Sequence, residues 1–246
     1  MLIGYTGFVG TTLAQQAPFD GRFNRANIGE IDGSVTKLLV CSAAPAQKWL
    51  ANQNPEDDLL NIKLLIKSLE GIEAKNAILI STVDVFSHPI GVTEDDDPKF
   101  DRANAYGANR RMLEVEFQDR FPSSLVARLP GLVGSGLRKN ALFDLKNDNE
   151  IHKLNGGSIF QFYPMSNLWN DLSLSQKSGL SLVHLTAEPV SIEEIASKVF
   201  GKEVQTRDSA ARYDFQSKHA SLWRPGARYQ YDAQKSLEAI REYARS

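Results

Sequence analysis

The chain has 246 residues, of which 42% are hydrophobic, and its 28 basic side chains nearly balance 30 acidic ones, for a net charge of -2. This size and charge balance describe an ordinary globular protein with one sizeable core, and give no electrostatic reason to expect a nucleic acid or a membrane as a partner. The single cysteine, Cys41, excludes an intramolecular disulfide, no apolar run is long enough to cross a bilayer, and no signal-peptide pattern opens the chain. We therefore expect a cytoplasmic protein.

Short apolar runs alternate with segments of helical period along the chain. Strands are predicted over residues 2–5, 22–24, 37–41, 77–81, 124–128 and 182–185, and helices over 8–17, 55–70, 103–120 and 232–245. Strands that alternate with helices favour βαβ units and a parallel sheet. The fold class predicted from this order is α/β.

Two segments modify that pattern. The stretch between the predicted strands at 22–24 and 37–41 is too short for another strand and helix, so we expect a sheet that is trimmed at one edge. After about residue 134 the pattern loosens, which predicts a core over residues 1–134 and a smaller lobe over 135–246 that sends segments back to the core. In that lobe Ser191 and Glu194 have the spacing of a capping box at the start of a helix.

Three glycines at a spacing of three follow the first predicted strand and open the first helix: Gly4, Gly7 and Gly10. Glycine permits a tight turn, a close approach of backbone amides to a pyrophosphate, and close packing of helix on strand. The helix N-terminus adds partial positive charge for phosphates. A strand-to-helix turn that needs glycine only for packing is the plain alternative. The position between strand and helix favours a dinucleotide site and a Rossmann-type, doubly wound parallel sheet.

The run Gly4-x-x-Gly7-Phe8-Val9-Gly10 is similar to the fingerprint of the extended short-chain dehydrogenases/reductases, which include nucleotide-sugar epimerases, dehydratases and dTDP-4-dehydrorhamnose reductases. The resemblance implies NADP or NAD as cofactor, a cofactor-binding core over residues 1–134 and a small C-terminal substrate lobe over 135–246. It also implies cofactor contacts from the turn and from the small residues after the strand at 37–41, namely Gly4, Thr6, Gly7, Phe8, Val9, Gly10, Cys41, Ala43 and Ala44.

The residues after the second predicted strand are expected to face the adenosine ribose. An acidic side chain there accepts from the 2′-hydroxyl of NAD, whereas arginine accommodates the 2′-phosphate of NADP. Residues 22–27 contain two arginines, Arg22 and Arg25, and no carboxylate, which favours NADP, although ordinary surface charge explains both arginines equally well. The cofactor contacts expected in this loop are Asn24, Arg25, Asn27 and Ile28.

Two further segments resemble the family's Ser/Thr–Tyr–Lys site. The strand at 77–81 ends in Ser81 and Thr82, at the edge of the sheet where such folds bind ligands. The helix that follows carries Tyr106 and Arg110 on one face. The resemblance implies that Thr82 positions the substrate, that Tyr106 exchanges a proton with it, and that Arg110 stands where the family has its lysine. In the family that lysine stabilises phenolate and holds the nicotinamide ribose. The resemblance therefore also implies cofactor contacts from Ser81, Tyr106 and Arg110.

Arg110 is a departure from the family's pattern. Arginine keeps the positive charge of lysine, but its planar guanidinium is bulkier and places its donors differently. An active enzyme and a protein that has lost its catalytic activity are both consistent with this substitution. An ordinary amphipathic helix pair is the plain alternative for Tyr106 and Arg110.

Asn61 matches the family's helix asparagine, which organises the tyrosine and lysine, and a surface asparagine is its alternative. Trp49 follows Lys48 where a substrate could approach, with a packed tryptophan as the alternative.

The segment after the strand at 124–128 resembles the family's stretch beside the nicotinamide. It implies cofactor contacts from Leu129, Pro130, Gly131 and Leu132. Arg138 and Asn140 then stand where extended members bind the nucleotide or phosphate of their substrate, and a flexible basic loop is the alternative.

These features together predict an NAD(P)-dependent epimerase, dehydratase or reductase that acts on a hydroxyl or carbonyl of a sugar or nucleotide sugar. The alternative is an NAD(P)-binding protein of impaired catalysis that senses redox state or regulates a partner. No metal is expected, because four scattered histidines and one cysteine lack ligand spacing. A homodimer through the helices at 55–70 and 103–120 stays open.

Overall fold

The computed structural model describes residues 1–99 and 104–246. Its strands are β1 (Leu2–Ile3), β2 (Arg22–Phe23), β3 (Val35–Cys41), β4 (Glu73–Thr82), β5 (Ser124–Leu129), β6 (Gly131–Val133), β7 (Ile159–Phe160), β8 (Phe162–Pro164), β9 (Leu182–His184) and β10 (Val190–Ser191). Its helices are α1 (Phe8–Gln16), α2 (Lys48–Gln53), α3 (Pro55–Glu70), α4 (Ala105–Arg120), α5 (Ala141–Asn147), α6 (Leu168–Lys177), α7 (Ile192–Ile195) and α8 (Ala233–Arg245).

Six strands form one parallel sheet in the order β2-β1-β3-β4-β5-β9. Leu2 lies opposite Arg22 on one side and Val40 on the other, and Val40 lies opposite Ile78. The order reverses between β1 and β3, the point where a doubly wound sheet opens a ligand crevice at its carboxyl edge. The predicted α/β class is confirmed, and so is the trimmed edge, because only a 3-10 turn (Ile28–Ile31) lies between the edge strand β2 and β3.

The first of two compact units comprises Met1–Ser87, Asp97–Arg128 and Leu168–Val183. In it α3 and α4 pack against each other and bury apolar side chains on β3 and β4, including Leu39, Ile62, Leu65, Leu69, Leu79, Leu113 and Phe117. α3 begins at Pro55 as predicted, but Asn54 makes no side-chain capping bond in the described part of the chain. The helix predicted from residue 103 is observed from Ala105, and Ala103 lies outside the described residues.

The second unit comprises His88–Asp96, Leu129–Asn167 and His184–Ser246, so the two units interleave along the chain. Two short ladders organise it: β6 pairs with β8 in parallel, and β10 pairs with β7 antiparallel. Gln161 is buried among them and its amide donates to Thr186 Oγ1 at 2.7 Å and to the Phe215 carbonyl at 2.8 Å. The predicted cap is confirmed, since Ser191 Oγ accepts from Glu194 N at 3.1 Å at the start of α7.

Over residues 1–99 and 104–246, no helix has both the length and the apolar character that a membrane crossing requires.

Candidate active site

The turn between β1 and α1 depends on backbone contacts that only glycine permits. Gly4 has a φ of +89°, and a Cβ on it would lie 2.6 Å from the carbonyl of Ser42. A Cβ on Gly10 would lie 2.0 Å from the carbonyl oxygen of Gly4. Gly7 N donates to that same oxygen at 3.1 Å. Two of the three glycines are therefore required by close packing, which holds the turn against the backbone that follows β3.

The third glycine leaves the start of α1 open. Gly7 is the N-cap residue, and in the described part of the chain no side chain caps the helix there and no acidic residue lies in its first turn. A Cβ on Gly7 would meet only the Gly4 carbonyl oxygen, at 3.6 Å, and both Thr6 and Gly7 are exposed. The free amides and the partial positive charge of such a helix end attract phosphate. Phe8 and Val9 begin the helix and are half-buried.

The loop after β2 holds its shape through two asparagines. Asn27 Oδ1 accepts from Asn24 N, and Asn24 Oδ1 accepts from Ala26 N, both at 2.8 Å. Both arginines of this loop are exposed, but Arg22 donates to the Ala14 carbonyl of α1 at 3.3 Å. Of the two, only Arg25 is therefore presented to solvent as a cation without a backbone contact to α1. Ile28 begins the 3-10 turn and is half-buried.

The end of β3 contributes backbone rather than side chains. Cys41 is fully buried in the core, and burial raises the pKa of its thiol to about 11. Ala43 and Ala44 follow and are half-buried. Any contact of this segment with a dinucleotide therefore falls to the backbone and the small side chains after the strand.

Tyr106 and Arg110 share one face of α4, but the guanidinium of Arg110 is committed to a carboxylate of α3. Two of its nitrogens bond Asp58, one of them to Oδ1 at 2.8 Å. The same group donates to the Pro45 carbonyl at 2.5 Å and to the Tyr106 carbonyl at 3.1 Å, and Asn109 Nδ2 donates to Asp58 Oδ2 at 2.8 Å. Arg110 and Asp58 are only 2% and 5% exposed. The pair is thus buried and closely coordinated.

The contact between Arg110 and Tyr106 involves the face of the ring. The guanidinium carbon lies 3.8 Å from the ring centroid, the geometry of a cation–π contact. Burial raises the pKa of Tyr106, and the opposing effect of Arg110 is smaller. The phenol is therefore protonated at neutral pH. Arg110 therefore favours the phenolate from the face of the ring, but its charge is paired with Asp58 and its effect on the pKa is smaller than that of burial.

Other polar side chains surround the start of α4. Lys48 Nζ of α2 lies 2.7 Å from Asp84 Oδ1, in the 3-10 turn (Val83–Val85) that follows β4. Thr82 Oγ1 accepts from Asp84 N at 3.1 Å and lies 3.5 Å from Asp84 Oδ2. Asn52 Oδ1 of α2 accepts from Tyr106 N at 2.9 Å. The structure therefore brings Thr82 and Tyr106 to one corner together with Lys48 and two residues that the sequence did not single out, Asp84 and Asn52.

Ser81 belongs to a different, buried network. Its hydroxyl donates to Glu114 Oε1 at 2.6 Å, and Arg128 binds both oxygens of Glu114, with Nε at 3.0 Å and Nη2 at 2.7 Å. Glu114 is fully buried, so the Ser81 side chain serves a core ion pair. The predicted cofactor contact of Ser81 stays a prediction.

Sequence reasoning missed Asp58 and Glu114 although a signal was present. Asp58 precedes Ile62, Leu65 and Leu69 on the buried stripe of α3, and Glu114 lies on the buried stripe of α4. A charge at a core-facing helix position needs a buried partner of opposite charge. The helical period therefore flags both residues, although it does not name their partners.

Asn61 is not brought to the corner. Its amide donates to the Asp57 carbonyl at 2.8 Å, one turn back in its own helix. Trp49 is 68% exposed, so its interpretation as a packed tryptophan is wrong.

The remaining predicted residues lie in or at the edge of the second unit. Asn140, at φ +103°, caps α5: Oδ1 accepts from Leu142 N at 2.9 Å, and Nδ2 donates to the Leu132 carbonyl at 3.0 Å. Its amide is thus occupied by the start of a helix, whereas Arg138 is exposed. Leu129 ends β5, Pro130 follows it, and Gly131 and Leu132 belong to β6. Among the described residues no cluster of three or more histidine, cysteine, aspartate or glutamate side chains could hold a metal.

The six-stranded doubly wound sheet, with a glycine turn at its switch point, defines the class as a Rossmann-type α/β protein. No family model and no curated protein matches the sequence.

The solved structures that share this fold include two dTDP-4-dehydrorhamnose reductases and a UDP-glucose 4-epimerase. The dTDP-4-dehydrorhamnose reductase from Bacillus anthracis, in complex with NADP, is 16% identical, with a TM-score of 0.76 over 98% of this chain and 95% of that one. The reductase of the same name from Yersinia enterocolitica is 13% identical, with a TM-score of 0.73 over 99% and 97%. The UDP-glucose 4-epimerase from Thermotoga maritima, with UDP-glucose, is 12% identical, with a TM-score of 0.70 over 99% and 97%. The fold implied by the resemblance is confirmed over nearly the whole chain.

Proposed function

We propose that the chain binds NADP(H) or NAD(H) at the glycine turn and is an oxidoreductase for a sugar or nucleotide-sugar carbonyl or hydroxyl. The observation that carries the proposal is the turn itself: Gly4 and Gly10 are fixed by backbone contacts while the start of α1 stays open. A helix end of this kind binds a pyrophosphate. The solved structures that hold NADP and UDP-glucose on the same fold support the cofactor and the substrate class.

Tyr106 would be the proton donor when the reaction runs as a reduction. A tyrosine phenol is protonated at neutral pH and burial raises the pKa of Tyr106 further, so it would hold the proton that a carbonyl oxygen gains when it becomes a hydroxyl. A bound reduced nicotinamide would supply the hydride for the carbon atom. The Thr82 hydroxyl, in the same corner, would hydrogen-bond the reacting oxygen and place it at the phenol.

A second candidate is a dinucleotide-binding protein without turnover, and one observation favours it. The cation four residues after Tyr106 is neutralised by Asp58 and lies on the ring face. Such a protein would bind the cofactor at the same turn and report its redox state to a partner.

Two measurements test these functions in order. Purified protein is titrated with NADPH, NADH and both oxidised forms, followed by nicotinamide fluorescence. Binding in the micromolar range supports the cofactor site, and no binding to any of the four overturns both candidates. Turnover of sugar and nucleotide-sugar carbonyls is then compared between the wild type and Tyr106→Phe. Loss of turnover with unchanged NADPH affinity supports the enzyme, whereas absence of turnover in the wild type leaves the sensor.

The apolar surface of α3 and α4 supports a homodimer. Leu60 and Leu64, one turn apart on α3, are 56% and 52% exposed, and Val115 on α4 is 41% exposed. Apolar side chains grouped on two packed helices are typical of an interface. Light scattering should give the mass of a dimer for the wild type and of a monomer for Leu60→Glu with Leu64→Glu, and a wild-type monomer would exclude this assembly.

A further inference from the structure

We infer that Lys48, held by Asp84, is the cation of the reaction centre that contacts the ligand, a role that the buried Arg110 does not fill. The inference rests on the proposed function, because it assigns a residue to that same site. It also makes Asp84 the positioning residue for Lys48.

The first line of support is the seating of α2 against the start of α4. Lys48 and Asn52 are four residues apart on α2 and therefore share a helix face. Asn52 Oδ1 accepts from Tyr106 N at 2.9 Å, so that face meets α4 at the tyrosine.

The second line of support is the seating of Asp84 at the same place. Its backbone carbonyl accepts from Asn104 Nδ2 at 2.6 Å, and Asn104 Oδ1 caps α4 by accepting from Gly107 N at 3.2 Å. Its carboxylate meets Lys48 Nζ at 2.7 Å. Lys48 and Asp84 are thus both attached to the first turn of α4, where Tyr106 lies.

The third line of support is a difference between the two ion pairs. Arg110 and Asp58 are both almost completely buried, whereas the Lys48 side chain is 41% exposed and that of Asp84 18%. An ammonium on a flexible stem can turn from its carboxylate towards an incoming oxygen or ribose, which a guanidinium fixed by two bonds in a buried pair does not. Lys48 is therefore the cation of this corner that a ligand can reach.

Four charged groups act on the Tyr106 phenol, each from a different element. Burial raises its pKa most; Arg110 of α4 and Lys48 of α2 lower it, while Asp84 of the turn and Asp58 of α3 raise it. Removing Lys48 should therefore shift the phenol titration to higher pH, and removing the charge of Asp84 should shift it to lower pH. Shifts of opposite sign would show that both charges act on the phenol, whereas a pair that only holds α2 against the chain would leave the titration unchanged.

The experiment is an ultraviolet titration of phenolate after a rapid pH jump, recorded before alkaline unfolding. Each variant is compared with its own Tyr106→Phe derivative, so that the difference reports Tyr106 alone. Lys48→Met should move that transition to higher pH, Lys48→Arg should restore it, and Asp84→Asn should move it to lower pH. Lys63→Met, which removes an exposed lysine of α3, should leave it unchanged.

The outcomes separate this inference from the proposed function. If Lys48→Met and Asp84→Asn both titrate like the wild type, Lys48 is not the cation, whatever the protein binds. If the titrations shift as expected but the wild type binds no NADPH, the proposed function fails while the placement of Lys48 stands. In an active enzyme Lys48→Met should lower kcat about 100-fold, while the fluorescence titration gives the wild-type NADPH affinity.

Discussion

The glycine turn and the corner formed by Thr82, Tyr106, Lys48, Asp84 and Asn52 belong to the same compact unit, but the sequence pattern predicts the contacts of the first and not those of the second. At the turn the spacing of Gly4, Gly7 and Gly10 translates directly into contacts, because two of the three positions have no room for a Cβ. At the corner, Tyr106 and Arg110 share a helix face as their spacing predicts. The guanidinium of Arg110, however, forms an ion pair with Asp58, which the spacing does not predict.

The difference reflects what fixes each region. The conformation of such a turn is set by steric contacts between backbone atoms only a few residues apart. A short sequence motif can therefore predict it. A charge centre depends on which side chains reach it, and its partners here come from elements far along the chain. A short spacing therefore predicts the contacts of a turn well and the partners of a charged side chain poorly.

The largest expected effect is a loss of stability when the buried pair of Arg110 and Asp58 is broken. Asp58→Asn should lower the free energy of unfolding by about 3–5 kcal/mol, because it leaves the Arg110 guanidinium buried without its carboxylate. Urea unfolding measures it. Asp57→Asn, at the exposed neighbour in the same helical turn, is the matched control and should cost less than about 0.5 kcal/mol. Equal losses in the two variants would show that the pair does not hold the corner.

The next effect separates packing from phosphate access at the turn. Gly10→Ala should destabilise the fold by about 1–3 kcal/mol, since its Cβ would lie 2.0 Å from the Gly4 carbonyl oxygen. Gly7→Ala, with only a 3.6 Å contact, should keep the stability and weaken NADPH binding about tenfold. Gly29→Ala, which has no heavy atom within 4 Å, should change neither quantity. Undiminished NADPH binding by Gly7→Ala would remove the turn as the phosphate site.

A pH series tests the burial at the end of β3. The pKa of the Cys41 thiol is about 11 in the folded chain against 9.0 for the free group, so above pH 9 the unfolded chain releases this proton while the folded chain keeps it. The free energy of unfolding should therefore fall between pH 9 and 11, by up to about 2–3 kcal/mol from this thiol. Urea unfolding at pH 8, 9 and 10 should show a shallower decline for Cys41→Ala. Identical slopes would mean that the thiol is not buried as described.

The smallest effect concerns cofactor choice. Arg25→Ala should weaken NADPH binding about tenfold and leave NADH unchanged if this exposed arginine binds the 2′-phosphate, as proposed. Arg22→Ala should not discriminate between the cofactors, since Arg22 bonds the Ala14 carbonyl. Equal weakening of both cofactors by Arg25→Ala would reject this role.

The periodicity of apolar residues predicted most of the helices and strands of the first unit. The bounds of α3 agree with the prediction, and the missing strand after β2 follows from chain length alone. β4 begins at Glu73, earlier than expected, because polar residues there pair with β3 from Val35 onward and the pattern alone reads as a loop. The two- and three-residue strands β6, β7, β8 and β10 were not predicted, since tertiary contacts rather than propensity create them.

The site divides in the same way. The turn residues and the pair Thr82 and Tyr106 were predicted from local motifs. The partners were not, because Lys48 and Asp84 are 36 residues apart and Arg110 and Asp58 are 52 apart, and no spacing rule joins them.

The buried Arg110–Asp58 pair also constrains how this chain can change. A lysine at position 110 would lose the two-pronged bond, and a neutral residue at position 58 would strand the arginine, so each single step is costly while the double step is less so. The two positions are thus coupled, and a change at either one alone passes through a destabilised intermediate.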